Sequence, residues 1–396
     1  MPTPAPSSVR VVGFAAITIF LDLVGFGLVL PLMPFYVESM HGSAEAVGWL
    51  LSLFATAQLA ATPFMAGLSD RVGRRPVILV SLAGNAAAMI LFAAATKVHL
   101  LALLFVSRIL AGATSGNIAA CQAAVSDVTD GDARTKAMGR VGAAIGLGLI
   151  LGPVIGASLA RLAAWAPPLV AGAVACVDLV LAFFLMPETR HLRGATGPKT
   201  ARPSLWRVLS ERKVFFVLAL FFLNFTCLSL MQVALALMLK ARLGWGERET
   251  GMIFGLIGLV GFVVQGFFIG RLTRRFGPDH LVIGGMVMLC GGMALLSAAS
   301  QAVPVDLSVL LIAGGTAVCT PVLSSLAAEA AGSERAGAIL GIAQSSGGLA
   351  RVICPVIGGL LFTRIAPGAP FAAGAVAAVV AVGVALRLKY ERVDVA

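Results

Sequence analysis

The chain has 396 residues, of which 59% are hydrophobic and only 12% are charged, and its formal net charge is +11. Soluble domains carry about 25% charged residues, so this composition excludes an ordinary soluble protein. A positive charge of this size would suit nucleic-acid binding, but its distribution along the chain, described below, argues against that class of function.

Apolar segments long enough to cross a bilayer follow one another along the chain. The hydrocarbon core of a membrane requires about 20 apolar residues per helix. The segments cover residues 11–36, 46–68, 76–95, 100–126, 137–160, 166–186, 214–239, 250–272, 280–299, 303–328, 337–363 and 370–388. Lipid offers no partner to backbone groups, so such segments must be helical, and the alternating strands of a membrane barrel are absent. We therefore predict an all-α membrane protein with 12 transmembrane helices.

A polar interruption divides these segments into two sets of six. Residues 187–213 are rich in Pro, Gly and Arg, which is typical of a flexible linker. The N-terminal residues contain no cleavage site, which favours a short disordered tail over a signal peptide. The predicted organisation is a cytoplasmic tail at 1–10, a six-helix bundle at 11–186, a cytoplasmic linker at 187–213, a second six-helix bundle at 214–388 and a cytoplasmic tail at 389–396.

The two halves are related in sequence. F-L-D-L-V-G-F-G-L at 20–28 aligns with F-L-N-F-T-C-L-S-L at 222–230, and L-G-P-V-I-G at 151–156 aligns with I-C-P-V-I-G at 353–358. Both alignments have an offset of 202 residues. The same offset at separated landmarks favours duplication over a chance likeness of two Leu- and Gly-rich stretches. Duplicated halves are a transporter architecture, so we expect two pseudo-symmetric bundles.

Lysine and arginine are distributed unequally between the two sides of the predicted membrane. With the N-terminus placed inside, 21 of the 29 lie on the cytoplasmic side, six lie on the opposite side and two lie within spans. Basic residues accumulate in cytoplasmic loops, so both termini are predicted to be cytoplasmic. Topology therefore explains the positive charge, and we expect no nucleic-acid partner.

The residue types that usually carry metal or redox chemistry form no recognisable pattern. The six cysteines all lie in apolar segments without a C-x-x-C pair, and the four histidines lie in or beside loops without ligand spacing. The sequence also contains no nucleophile–base pair and no phosphate-binding loop. We therefore expect no disulfide framework, no metal, no cofactor and no enzymatic activity.

A basic turn, S-D-R-V-G-R-R-P-V, joins the second and third segments. A glycine permits the tight reversal, and Asp127 at the end of the fourth segment is a candidate ion-pair partner for an arginine of the turn. With Asp70 also facing the positive N-terminus of the eleventh helix, the cluster would act as a conformational latch between the halves. The alternative is a basic loop that serves only membrane topology. The latch residues are Asp70, Arg71, Gly73, Arg74, Arg75 and Asp127.

Small residues line the fifth segment, in G-A-A-I-G-L-G-L-I-L-G-P-V-I-G at 142–156. The principal positions are Gly148, Gly152, Pro153 and Gly156. Small residues let helices approach closely in lipid, and proline permits a bend. Generic helix packing is the alternative to a specific functional motif.

Four charged residues lie within apolar segments, where an ionisable group is costly and is a functional candidate by default. Asp22 in the first segment and Arg108 in the fourth form the principal pair. A desolvated carboxyl can bind and release a proton near neutral pH, and Arg108 can pair with it when it is ionised. The alternative for both residues is a static buried ion pair.

The other two charged residues are weaker candidates. Asp178 in the sixth segment is either a proton-handling group or a neutral, hydrogen-bonded side chain. Arg351 in the eleventh segment either balances an anionic ligand or is a fixed structural cation. Neutral polar side chains, together with Phe26 as part of an apolar wall, complete a candidate pocket for a hydrophobic substrate. The pocket residues are Phe26, Gln58, Asn117, Gln122, Asn224, Gln232, Gln344 and Arg351.

These motifs resemble those of the major facilitator superfamily. The turn S-D-R-V-G-R-R-P-V-I-L is similar to the family signature between helices 2 and 3, and the ending G-P-V-I-G resembles the helix-5 signature of its exporters. The segment R-I-L-A-G-A-T-S-G, which begins at Arg108, is similar to the helix-4 motif of proton-coupled exporters. The first helix resembles that of the tetracycline/proton antiporters. The resemblance implies a drug:proton antiporter of 12 helices, in which Asp22 and Arg108 couple protons to transport.

One departure from the tetracycline efflux branch bears on the substrate. Its members carry an essential Asp in helix 3, and the aligned residue here is Ala88, which argues against tetracycline–magnesium. The resemblance implies proton-coupled multidrug efflux and antibiotic resistance in a bacterial inner membrane. The expected partners are a small-molecule substrate, protons and the bilayer, and the expected state is a monomer.

Two other functions remain open from the sequence. One is a proton-coupled importer or exchanger of a specific small metabolite, which differs from an exporter in the direction of flux. The other belongs to a different class and is a membrane sensor on the same fold.

Overall fold

The computed structural model describes residues 6–190, 210–331 and 335–393, and the regular structure within these ranges is entirely helical. Most of the predicted linker, residues 191–209, lies outside the described residues. In chain order the α-helices are α1 (Pro6–Val29), α2 (Met33–Ser39), α3 (Ala44–Val72), α4 (Arg74–Val98), α5 (Leu101–Ala113), α6 (Asn117–Asp127), α7 (Gly131–Ala160), α8 (Ala166–Leu185), α9 (Arg212–Leu243), α10 (Glu247–Val263), α11 (Ile269–Phe276), α12 (Pro278–Ala298), α13 (Ala302–Ala331), α14 (Ala336–Arg364) and α15 (Ala369–Val393).

Within the described residues, 12 helical stretches are long and apolar enough to cross a membrane, and each overlaps one predicted segment. The predicted number of spans is therefore confirmed. Several helices extend past the apolar segment that predicted them. The longest, α9, has 32 residues. At about 1.5 Å per residue it exceeds a hydrocarbon core of about 30 Å, so its polar ends reach beyond the core.

Both predicted tails are partly helical, which differs from the sequence prediction. The first helix begins at Pro6, inside the predicted tail 1–10, and the last continues to Val393, inside the predicted tail 389–396. A helix satisfies its own backbone hydrogen bonds, so it can continue into polar sequence at the edge of the membrane. On α15, Glu391 lies 3.8 Å from Arg212 at the start of α9.

Three spans contain an irregular turn. A 3-10 turn at Leu30–Leu32 joins α1 to α2 and contains Pro31, which has no N–H to donate to an α-helical ladder. The fourth span breaks between α5 and α6, at residues 114–116. A π-helical turn at Val264–Phe268 joins α10 to α11.

The chain divides into two compact units. The first comprises Met1–Gly42, Leu53–Gly197 and Glu247–Gly258, and the second comprises Ser43–Ser52, Pro198–Gly246 and Leu259–Ala396. The start of α3 therefore belongs to the second unit, and the start of α10 belongs to the first. Apart from these two short segments, the units follow the order of the two predicted bundles.

In the first unit, α1 packs against α7 and α8, and α4 packs against α5 and α8. One face of α1 carries Val11, Ala15 and Ile19, which recur every four residues and are fully buried. Residues of α4, α6 and α7 complete this apolar core. Three successive turns of α1 are thus fixed against its neighbours.

The second unit repeats these pairings. Its first helix, α9, packs against α14 and α15, and α12 packs against α13 and α15. In each unit the first span therefore contacts the fifth and sixth, and the third span contacts the fourth and sixth. This common pattern agrees with the 202-residue offset between the two halves of the sequence.

The contact between α1 and α7 depends on glycine. A Cβ added at Gly152 would lie 2.7 Å from the Cα of Gly27 and 2.8 Å from the carbonyl oxygen of Val24. One at Gly148 would lie 2.7 Å from the Cβ of Leu23. Because backbone opposes backbone here, no rotamer change can make room for a side chain.

The opposite face of α7 receives the start of α10 in the same way. A Cβ at Gly258 would lie 2.7 Å from the carbonyl oxygen of Leu149, and one at Gly255 would lie 2.8 Å from the side chain of Val154. In the second unit the equivalent of Gly152 is Cys354, whose thiol contacts Thr226 at 3.4 Å. The close backbone approach of the first span to the fifth is therefore a property of the first unit, whereas the second unit brings the start of α3 equally close to α14, where a Cβ at Gly359 would lie 2.6 Å from the carbonyl oxygen of Ala44.

We predict that Gly152→Ala destabilises the protein, because overpacking of a tight interface costs about 1–3 kcal/mol. Gly142→Ala is the matched control on the same helix, because a Cβ there meets nothing within 4 Å. That control should leave stability unchanged or raise it, since Ala favours a helix over Gly. Thermal unfolding in detergent, followed with a dye that reacts with newly exposed cysteines, measures both. Equal melting temperatures for the two variants would contradict the assigned role of Gly152.

Candidate functional site

Asp22 lies on α1, two turns before the 3-10 turn, and is half-buried. Its Oδ1 accepts a hydrogen bond of 3.0 Å from Nδ2 of Asn85 on α4. Asn117 lies close by at the start of α6, but its Nδ2 makes no hydrogen bond of standard geometry with the described residues. The carboxyl group is therefore surrounded by amides and apolar side chains.

Arg108 lies on α5 and is 4% exposed. Its guanidinium carbon lies 4.8 Å from the ring centre of Phe92 and 6.0 Å from that of Phe54. One terminal nitrogen lies 3.6 Å from the sulfur of Met89, and Nε has no hydrogen-bond partner among the described residues. Aromatic rings and a sulfur stabilise the cation in place of a carboxylate.

Asp22 and Arg108 are not paired in this structure. Among the ion pairs of the described residues, none joins them. The static buried ion pair, one of the two sequence interpretations, is therefore not formed in this arrangement. The physical reason is that each charge has another set of neighbours: amides for the carboxyl, and aromatic rings for the guanidinium.

Asp178 on α8 is 1% exposed, and its Oδ1 accepts a hydrogen bond of 2.9 Å from Oγ1 of Thr18 on α1. The other carboxyl oxygen has no partner among the described residues. The Asp178 side chain points into the packed interior of the first unit. Ala88 on α4, the residue aligned with the family's helix-3 Asp, is fully buried.

The neutral polar candidates fall into two sets, one in each unit. In the first unit Gln58 and Gln122 are partly exposed and Asn117 is buried, while Phe26 packs 6.3 Å from the ring of Phe54. Phe54 is thus common to the aromatic pair and to the surroundings of Arg108. The first unit therefore brings part of the predicted apolar wall close to the buried cation.

In the second unit Gln232 is partly exposed and Gln344 is exposed. Asn224, at the position equivalent to Asp22, is 1% exposed and neither side-chain polar atom has a partner within the described residues. The guanidinium carbon of Arg351 lies 5.4 Å from the ring centre of Phe225. Among the described residues, no group of three or more His, Cys, Asp or Glu could hold a metal ion.

The turn between α3 and α4 carries a connected ionic cluster centred on Arg74. Its Nε donates to Asp127 at 3.0 Å, and its Nη1 donates to Asp70 at 2.8 Å and to Ser69 at 3.0 Å. Arg74 and Asp127 are 6% exposed, whereas Asp70 is 48% exposed. The arginine that pairs with Asp127 is therefore Arg74.

The other two arginines of the turn are placed differently. Arg71 is exposed, and Arg75 donates to the carbonyl oxygen of Phe183 at 2.6 Å while lying 5.6 Å from the centre of its ring. These contacts attach the start of α4 to the end of α8. They do not join the ionic cluster around Asp127.

Glu188 completes this region and was missed by the sequence reasoning. Its carboxylate accepts the backbone N–H groups of Arg74 and Arg75 at 3.0 and 3.2 Å, the first two of α4. It also accepts those of Thr189 and Arg190. The first N–H groups of a helix have no partner within the helix and carry a positive partial charge, so an anion is stabilised there. The available signal was P-E-T-R directly after the sixth span.

Burial acts to raise the pKa of Glu188, but the four backbone N–H donors outweigh it and hold the pKa below its ordinary value. Gly73 makes the contact possible. Its φ of +128° is a conformation that side-chain-bearing residues rarely adopt, and a Cβ there would lie within 3 Å of the Glu188 carboxyl carbon. The turn is therefore shaped to seat this carboxylate.

We predict that Glu188→Gln lowers stability at neutral pH by about 1–2 kcal/mol, because charged hydrogen bonds to a helix N-terminus are lost. The sign follows from the lowered pKa. The stabilisation is complete above the ordinary Glu pKa of 4.5 and disappears as the pH falls through the folded-state value. Melting temperatures of the two proteins should therefore converge in acid.

Glu391→Gln is the control for this measurement. Its partner Arg212 is 85% exposed, and exposed ion pairs contribute little to stability. A pH-independent difference between wild type and Glu188→Gln would contradict an electrostatic role for Glu188.

The fold and these motifs agree with comparisons to known proteins. A profile of the Major Facilitator Superfamily matches residues 15–353 and 266–395. The tetracycline resistance protein, class C, of Escherichia coli is 31% identical over 347 residues, which cover 86% of each chain. Multidrug resistance protein 2 of Bacillus subtilis (strain 168) is 28% identical over 355 residues, covering 87% of this chain and 86% of that protein.

Among solved structures, the crystal structure of the human organic anion transporter MFSD10 (TETRAN) is similar, with a TM-score of 0.72 and 26% sequence identity. The match covers 96% of this chain and 100% of that one. These relatives are membrane transporters and not enzymes. The 12 spans, the duplicated halves and the family profile together establish that this chain belongs to the Major Facilitator Superfamily.

Proposed function

We propose that this transporter is a proton-coupled exporter of amphipathic small molecules that works by alternating access. The observation that carries the proposal is Asp22, a carboxyl group in the middle of an apolar helix whose hydrogen-bond donor is an amide and not a cation. An ionisable group in a membrane-spanning helix costs free energy, so its presence there indicates a function.

The surroundings of Asp22 suit a group that gains and loses a proton. An amide donor can hydrogen-bond to a carboxylate or to the carbonyl oxygen of a protonated acid, so Asn85 accommodates both forms. Partial exposure gives the proton an entry path. A carboxylate locked by an arginine would lack this freedom, because the pair would favour the ionised form in every state.

Arg108 supplies the opposite charge. Its Nε is unsatisfied among the described residues, so the guanidinium keeps unused hydrogen-bonding capacity despite its aromatic contacts. When Asp22 is ionised, approach of the two charges would satisfy both in a medium of low dielectric constant. We infer two alternating arrangements: Asp22 protonated and apart from Arg108, and Asp22 ionised and paired with it.

Export is favoured by the relatives and by α7. The similar proteins include a tetracycline resistance protein and a multidrug resistance protein, and export of a drug from the cell is one cause of resistance to it. The glycines at 148, 152 and 156 with Pro153 match the exporter-like motif of the sequence and form the close contact with α1. Because α1 carries Asp22, movement at this contact would be transmitted to the proton-binding residue.

The ionic cluster is proposed as the conformational latch. Asp127 and Asp70 both hold Arg74 in this structure, so the turn is rigid here. Release of Asp70, the more exposed of the two, would loosen it. The excess of basic residues on one side supports an orientation with this turn and both termini in the cytoplasm. The similarity to bacterial proteins favours a bacterial inner-membrane location.

The substrate pocket is proposed from residues of each unit considered separately. Phe26 and Phe54 supply an apolar surface beside Gln58 and Asn117 in the first unit. In the second unit Asn224, Gln232, Gln344 and Arg351 supply polar groups. Ala88 in place of a carboxylate favours a neutral or weakly charged drug over a metal-chelated one.

A second candidate is transport of an organic anion. It is favoured by Arg351, which is partly buried against Phe225, and by the likeness of this chain to the human organic anion transporter MFSD10. The flux assay described next distinguishes the two candidates. An organic anion should evoke proton movement if the second candidate is correct, and a neutral amphipathic drug should do so if the first is correct.

We predict that Asp22→Asn lowers proton-driven export at least about tenfold, because the amide cannot carry the proton across the membrane field. Proteoliposomes that enclose a pH-sensitive dye, with a panel of amphipathic drugs, measure proton movement evoked by each compound. Exchange of labelled for unlabelled drug across the membrane should persist in this variant. Such exchange requires drug binding and the conformational change, but no net proton transfer.

Asp306→Asn is the matched control, since Asp306 lies on an exposed face of α13. It should transport at the wild-type rate. Undiminished proton-driven export by Asp22→Asn would exclude Asp22 as the coupling residue. Uptake of a metabolite with no drug-evoked proton movement would exclude export.

A further inference from the structure

A second buried carboxyl group, Asp178, has no role in the mechanism proposed so far. It lies in the middle of α8, which packs against α1 and α4, and its exposed fraction is 1%. Apart from Asp22, it is the one acidic residue of the first unit's spans that lies away from the helix ends. A carboxyl group at this depth requires an explanation, because charge is costly there.

The hydrogen bonding of Asp178 indicates a protonated acid. One oxygen accepts from the neutral hydroxyl of Thr18 at 2.9 Å, and the other has no partner among the described residues. No ion pair of the described residues includes Asp178. An ionised carboxylate needs a cation or several donors when it is buried, and one hydroxyl does not suffice. In this arrangement Asp178 therefore holds its proton.

Asp178 is also connected to Asp22. Thr18 and Asp22 are four residues apart on α1, so their side chains lie on one face, one turn apart. The two carboxyl groups lie within electrostatic range of each other, and the thiol of Cys121 on α6 lies within range of both. Three titratable groups thus lie close together in the first unit.

Within the described residues, the helices that pack against α8 carry their other charges near their ends. The charged residues of α4 are Arg74, Arg75 and Lys97, which lie at its two ends. Those of α7 lie in its first three turns, and α1 adds only Arg10 near its start. On these helices, Asp22 is therefore the acidic residue that lies within electrostatic range of Asp178.

We propose that Asp178 is a second proton-binding site, coupled to Asp22 through their shared field and through α1. This inference rests on the proposed function of Asp22. Two like groups that interact strongly bind their protons as a pair, so the proton on one depends on the state of the other. When Asp22 has lost its proton and has not yet paired with Arg108, its negative charge favours retention of the proton on Asp178. When Asp22 regains a proton or pairs with Arg108, that charge is neutralised and the Asp178 proton can leave.

Infrared difference spectroscopy tests the proposal without transport. The purified protein in detergent is titrated with acid and base, and the carbonyl stretch of protonated carboxyl groups is recorded for wild type, Asp178→Asn, Asp22→Asn and Asp306→Asn. Wild type should contain a component that titrates, is lost in Asp178→Asn and is unchanged in Asp306→Asn. The midpoint of that component should shift in Asp22→Asn, because the neighbouring charge is gone.

Thr18→Val provides a second variant if Asp178→Asn does not fold. It removes the hydroxyl donor with little change of shape, so the Asp178 component should move in frequency while still titrating. A component that never titrates in the folded protein would make Asp178 a fixed structural acid and overturn the proposal. A titrating component with an unchanged midpoint in Asp22→Asn would overturn the coupling. Failure of drug export in liposomes, by contrast, would refute the proposed function and leave these spectra unaffected.

Discussion

A bilayer offers no water to a polar group, and this constraint governs most of the structure. The backbone responds by forming helices that satisfy themselves. Buried ionisable side chains must find other partners in the protein, and the first unit contains three different environments for them. Asp22 is held by an amide, Arg108 is surrounded by aromatic rings and a sulfur, and Asp178 keeps a proton beside a hydroxyl. Each environment leaves some hydrogen-bonding capacity unused, and that capacity makes these groups able to change partners.

Helix α1 carries Asp22 and also contacts Asp178 through Thr18. Its small residues and backbone lie against the glycines of α7, and its Thr18 reaches α8 while its Asp22 reaches α4. A rotation or shift of α1 by a fraction of a turn would change all of these contacts together. Where α1 opposes the glycines of α7 the contact is backbone against backbone, so this part of the interface admits no added side chain.

Much of the fold was predictable because the bilayer imposes a length and a composition on every span. All 12 segments were found, and the offset of 202 residues anticipated the repeated helix pairings of the two units. Helix ends were less predictable, since α1 and α15 continue into polar sequence where hydropathy no longer reports structure. The compact units also exchange the starts of α3 and α10, which no local pattern in the sequence reveals.

At the candidate site, the chemistry of residues was easier to anticipate than their partners. Asp22 and Arg108 stood out as charges in apolar sequence, but their separation depends on the aromatic neighbours of Arg108, which are distant in the chain. Asp127 was identified as a partner for the basic turn because only one acidic residue ends the fourth span. Glu188 was overlooked because it lies at the edge of a segment assigned to the linker, where a carboxylate looks like ordinary solvated charge.

The seat of Glu188 has a mechanical consequence. This residue stands just before the connection between the two halves of the chain, and its carboxylate is fastened to the first turn of α4 across Gly73. Tension in that connection would consequently be borne by the third span as well as by the sixth.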